Sequence, residues 1–169
     1  PEALEATISV SGQSDRIVSS TFKVMMFGNS IREHGEAPNM GWYGNWGMAA
    51  SSRDKDYAHR FIYYMNEKFG EGAAELVPGY TPAGFENAAA SCTEYNEADF
   101  VSYVNGFVAY VEEYKPDIVT LQLGENGSES VKSDIYAKVM AQVIGGIKDA
   151  APDAVIVISA PFWSAKTSG

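Results

Sequence analysis

The chain has 169 residues, the length of one domain, with 46% hydrophobic and 20% charged residues. Its 3 Trp, 10 Tyr and 8 Phe can anchor a core, which excludes intrinsic disorder, and a lone cysteine, Cys92, excludes a disulfide scaffold. A formal net charge of −10 with scattered Lys and Arg excludes a nucleic acid as the natural partner and a polybasic membrane anchor, and no run of about 18 apolar residues offers a membrane span.

Residues 1–18 are polar and Ser-rich and read as an N-terminal extension or, from the alternation Ile8-Ser9-Val10-Ser11, an edge strand. Residues 19–169 read as one α/β domain. Phe22-Lys23-Val24-Met25-Met26-Phe27 is an apolar run that suits a buried parallel strand, closed by Gly28. A helix is expected over about 54–69, with Tyr57, Phe61, Tyr64 and Met65 on one face and Gly70 as its terminator. Glu75-Leu76-Val77 is a weaker strand. Residues 79–97 are small and polar and read as a loop beside the sheet.

Asn96 is placed to cap a helix carrying Phe100, Val104, Phe107, Val108 and Val111 at helical spacing. Ile118-Val119-Thr120-Leu121-Gln122-Leu123 is a second buried strand, followed by Gly124. Val131, Ile135, Val139, Val143 and Ile147 mark another helix, and Ala154-Val155-Ile156-Val157-Ile158 a further strand. Lys115-Pro116-Asp117 and Ala151-Pro152-Asp153 are the same device twice: proline ends a helix and a strand follows. Alternating strands and helices predict a three-layer α/β/α domain with a mostly parallel, open sheet.

Ligands of such sheets sit beyond the carboxyl ends of the strands. Gly28-Asn29-Ser30-Ile31, Gly124-Glu125-Asn126-Gly127 and Ser159-Ala160-Pro161-Phe162-Trp163 fall there. Ser30 is a candidate nucleophile or, equally simply, a turn residue capping a helix. Asn126 is a candidate oxyanion donor or a turn residue. Gly47 offers a free N–H, or belongs to a Gly-aromatic loop with Trp42, Tyr43 and Trp46, whose rings stack on sugars or plug the fold.

Taken together, Gly28-Asn29-Ser30-Ile31, Asn45-Trp46-Gly47 and Gly124-Glu125-Asn126 resemble, in order and spacing, the nucleophile, glycine and Gly-x-Asn blocks of the SGNH/GDSL hydrolases. The resemblance spans residues 22–163. Residues 41–56 look most like bacterial members acting on carbohydrates. It implies the flavodoxin-like fold of that family. It further implies a Ser30 nucleophile and an oxyanion hole of the Ser30 N–H, the Gly47 N–H and the Asn126 side chain. The implied reaction is ester hydrolysis through an acyl-enzyme, without metal or organic cofactor. Asn29, His34, Trp46 and Glu125 are candidate substrate-contacting residues, and the implied partner is a small-molecule or carbohydrate ester.

The chain departs from the pattern at three places. Asn29 stands where the family has Asp, Gly127 stands where Asp follows the Asn, and the Asp-x-x-His block that supplies the general base does not occur. A final strand, helix and histidine loop are therefore expected from a C-terminal continuation of the same protein. His34, four residues after Ser30, is weighed as a base, a rim residue or a loop-stabilising hydrogen bonder; His59 reads as structural. Glu33 and Glu36 are weaker cleft candidates, and Cys92 reads as a buried thiol.

The leading reading is a serine esterase, with acetylated carbohydrate as the favoured substrate class. A non-catalytic carbohydrate-binding pseudoenzyme is the alternative from another class, and an acyltransferase using the same nucleophile is the third. The acidic composition, rich in Tyr, Trp, Ser and Asn, favours a secreted or periplasmic bacterial protein over a cytoplasmic one.

Overall fold

The computed structural model describes residues 21–126 and 132–159. The readings placed on residues 1–18, Gly127, Val131 and residues 160–163 lie outside them. In chain order the elements are β1 (Phe22–Gly28), α1 (Tyr57–Phe69), β2 (Ala74–Val77), α2 (Phe85–Ser91), α3 (Val101–Tyr114), β3 (Ile118–Gln122), α4 (Ser133–Ala150) and β4 (Val155–Ile158). The four strands form one parallel sheet in the order β2-β1-β3-β4.

Side chains of β1 alternate between two apolar layers, as the pleat requires. Val24 and Met26 pack with Ala58, Phe61, Ile62 and Met65 of α1. Met25 and Phe27 pack on the other face with Phe107 and Val111 of α3 and Val139, Val143 and Ile147 of α4. Phe27 meets the Phe107 ring edge-on at 4.8 Å, and Phe85 of α2 meets the same ring at 5.1 Å. With helices on both faces this is the expected three-layer α/β/α arrangement. At the β4 edge the cover is thinner, and Val155, Val157 and Ile158 are exposed.

Local chemistry sets the ends of the elements. Asp56 caps α1 by accepting the His59 N–H at 2.8 Å, and Gly70 closes it. The two proline devices work as expected: α3 ends at Tyr114 through a left-handed Lys115, and α4 ends at Ala150. Asn96 caps a short 3₁₀ turn, Glu97–Phe100, that leads into α3.

The stretch 79–97 corrects the loop expectation, because it contains α2. Gly84, in the left-handed region at φ 79°, turns the chain into this helix, and Phe85, Ala89 and Ala90 bury one side of it. A seven-residue helix whose buried stripe is mostly alanine carries too little apolar contrast to be read as one.

The strand order puts the topological switch between β1 and β3. From β1 the chain moves to β2 on one side and returns to β3 on the other. A crevice opens at such a switch beyond the carboxyl ends of the two strands. Here those ends carry Asn29-Ser30 and Gly124-Glu125-Asn126.

Candidate active site

Ser30 and Asn126 come together. Both line one cleft of about 380 Å³, with Gly28, Asn29 and residues 81–87 forming the rest of its wall. The wall is small and polar, with Pro82 and Phe85 as its larger apolar members. Among the described residues the Ser30 hydroxyl makes no hydrogen bond, whereas its carbonyl accepts the Met48 N–H at 2.9 Å. Ser30 lies in a tight turn held by Asn29, whose carbonyl accepts the Arg32 N–H at 2.9 Å and the Glu33 N–H at 3.1 Å. No helix begins there for Ser30 to cap.

Asn29 explains its own departure from the resembled motif. Its side-chain oxygen accepts the Ile31 N–H at 3.0 Å, a bond that Asp would make equally well. Its amide nitrogen donates to Glu125 Oε2 at 2.7 Å and to Glu86 Oε1 at 3.3 Å. An aspartate would set a third negative charge against those two carboxylates, and only an amide is acceptor on one side and donor on the other.

Glu86, the second residue of α2, is the residue the sequence did not reveal. It is only 7% exposed. Oε1 accepts the Gly124 N–H at 2.6 Å as well as the Asn29 amide, and Oε2 accepts the Asn126 amide at 2.8 Å. One carboxylate therefore ties the turn after β1 to the turn after β3. The available signal was a single acidic residue among small ones in residues 84–91. Glu125 belongs to the same network and also accepts from Gln122 Nε2.

No solved structure, curated protein or family description matches this chain. The site therefore stands on its own geometry.

Gly47 does not line the cleft. Its N–H points to Asp56 Oδ2 at 3.4 Å. Its loop nonetheless packs directly against the serine turn. A Cβ built on Gly47 would lie 2.0 Å from the Ile31 carbonyl oxygen, so close approach of two backbones requires glycine there.

Neither histidine bonds to Ser30 among the described residues. The His34 ring contacts its neighbour's carbonyl, Nδ1 to Gly35 O at 2.6 Å, and the His34 backbone N–H donates to the Trp46 carbonyl at 3.1 Å. His34 therefore stabilises its loop. His59 sits with Nδ1 2.8 Å from Asp56 and takes a hydrogen bond from Arg53 Nε at 2.8 Å, a structural arrangement.

The aromatic loop is folded on itself. Trp42 and Trp46 pack edge to face at 5.4 Å, and their indole N–H groups donate to the carbonyls of His34 and Ala50. Tyr43 is exposed. None of the three lines the cleft.

Arg32 is nearly buried, contacts Glu33 and lies 5.5 Å from the Tyr80 ring centre. Burial lowers the pKa of its guanidinium from the ordinary arginine value. Glu36 is exposed and outside the cleft wall. Cys92 is half-buried rather than enclosed, because it follows the exposed end of α2, and its thiol donates to the Glu94 carbonyl at 3.1 Å. Among the described residues no three His, Cys, Asp or Glu side chains gather as a metal site, and no helix is long and apolar enough to cross a membrane.

Proposed function

We propose that the chain is a serine esterase of the SGNH type acting on a hydrophilic ester, with acetylated carbohydrate as the substrate class. The observation that carries the reading is a Ser30 hydroxyl unbonded among the described residues, in an open polar cleft shared with Asn126, at the switch point of a parallel sheet. The three sequence blocks that resemble that family support it from the sequence side.

In this reading Ser30 Oγ attacks the acyl carbon and loses its proton to a base. The carbonyl oxygen becomes an oxyanion held by the Asn126 amide and the Ser30 N–H, and by the Gly47 N–H if it turns from Asp56. Collapse breaks the ester C–O bond, the alcohol leaves with a proton, and water then releases the acid from Ser30. His34 and His59 are engaged elsewhere, so the reading assigns the base to a group outside the described residues. The small polar wall suits a short acyl group and a sugar. An exported location in a bacterium accords with such a substrate.

A second reading is favoured by one observation: no base touches Ser30 among the described residues. It makes the cleft a non-catalytic carbohydrate-binding site. Hydrolysis of an acetylated sugar by the full chain separates the two. The esterase reading expects turnover that falls by on the order of 10⁶ in Ser30→Ala. Activity retained by Ser30→Ala would overturn it, and glycan binding without turnover in the parent chain would establish the second reading.

A further inference from the structure

We propose that Glu86 is the positioning residue of this site: its carboxylate forces Asn126 to present amide N–H, and not amide oxygen, to the reacting carbonyl. The inference rests on the Ser30 reading above and deepens it.

An asparagine side chain has two ends of nearly equal shape and opposite polarity. Turned one way, Asn126 stabilises an oxyanion. Turned the other way, its oxygen repels it. Shape alone does not choose, and Asn126 is exposed, so packing does not choose either. An ionised carboxylate only accepts, and it therefore selects the nitrogen. Glu86 Oε2 takes one Asn126 Nδ2 hydrogen at 2.8 Å, and the second hydrogen on that nitrogen is left for a ligand in the cleft.

The selector is itself fixed. Glu86 Oε1 is held by the Gly124 N–H at 2.6 Å and the Asn29 amide at 3.3 Å, so rotation of the carboxylate would break bonds on both sides of the switch point. Burial keeps water from competing, and charge-assisted bonds of this kind are about twice as strong as neutral ones. The packing of α2 does not need this carboxylate, because Phe85, Ala89 and Ala90 supply the buried surface.

Glu86→Gln tests the idea with almost no change of shape. A glutamine has one acceptor and one donor end, so whichever way it turns, an N–H faces an N–H. The variant is expected to lose about 10–10² in kcat, no more than the loss of one oxyanion donor outright, with KM little changed and a cooperative melt. Glu86→Gln combined with Asn126→Asp pairs the new amide with a carboxylate. It is expected to recover the melting temperature but not kcat, because it also removes the Asn126 donor.

Independently of turnover, the Asn126 Nδ2 proton bonded to Glu86 should lie downfield and exchange slowly in the parent chain, and should lose both properties in Glu86→Gln. An Asn126 amide with the shifts and fast exchange of a free asparagine side chain in the parent chain would overturn the proposal, as would a folded Glu86→Gln variant with parental kcat. If the parent chain hydrolyses no ester, the esterase reading fails and the Asn126 proton signals still decide the role of Glu86.

Discussion

Asp56 and Glu86 are the two buried acids among the described residues, and they do different work with the same chemistry. Each is an acceptor that gathers donors from separated stretches of chain. Asp56 takes the His59 N–H, the His59 ring and the Gly47 N–H, so it caps α1 and closes the aromatic loop onto the helix. Its donors are main chain or fully engaged, and nothing is left over for a ligand. Glu86 takes two side-chain amides that border an open cleft. The Asn126 amide keeps a second hydrogen, on the wall of the cleft it shares with Ser30. A buried acid whose partners are backbone builds a loop. One whose partners are amides on a cleft wall prepares a site.

Asn126→Ala tests the functional half of that contrast and has the largest expected effect. Removing the donor should lower kcat by about 10²–10³. The melting temperature should fall only modestly, since Asn126 itself is exposed and only Glu86 Oε2 loses a partner. Steady-state kinetics beside a thermal melt checks both. A large loss of stability with unchanged kcat would make Asn126 a structural turn residue like those around Asp56.

Gly47→Ala tests the structural half. The new Cβ would meet the Ile31 carbonyl oxygen at 2.0 Å, and backbone cannot yield as a flexible side chain can. A loss of about 1–3 kcal/mol in unfolding free energy is expected from denaturant titration. Unchanged stability with lost turnover would move Gly47 from the Asp56 cluster to the oxyanion site.

Tyr57→Phe has the smallest expected effect and sharpens the border between the two clusters. The Tyr57 hydroxyl is buried with no partner among the described residues, near Gly28. Its removal should change stability at neutral pH by no more than about 0.5 kcal/mol or raise it, because an unsatisfied buried donor is lost. Burial also pushes the Tyr57 pKa well above the ordinary tyrosine range. The unfolded chain ionises this phenol near pH 10 and the folded chain only at higher pH, so its contribution is complete below about pH 10 and is lost as pH rises further. Urea midpoints at pH 7 and above pH 10 should therefore diverge less in Tyr57→Phe than in the parent chain.

Much of this was legible in the sequence because it is periodic. Val24 to Phe27 is apolar at every position and became a strand buried on both faces, and the four-residue spacing of Ile135, Val139, Val143 and Ile147 became the buried stripe of α4. Ser30 and Asn126 were legible from their places after strands, where the parallel order brings them to one cleft. Helix α2 was not, since alanines give no contrast. Glu86 was hidden with it, because a lone acid among small residues reads as solvated surface until the fold shows which amides surround it. Asn29 looked like a defect in a motif and is instead the residue that two neighbouring carboxylates demand. The indoles of Trp42 and Trp46, which the sequence left open between sugar stacking and packing, bond within their own loop.

The central claim is that Ser30 is a nucleophile. A fluorophosphonate probe reacts covalently with such a serine, and the adduct can be located by peptide mass spectrometry. The account predicts one adduct on Ser30, absent in Ser30→Ala and slowed in Asn126→Ala. A folded full chain that takes up no probe at Ser30, while still binding acetylated glycan, would contradict it.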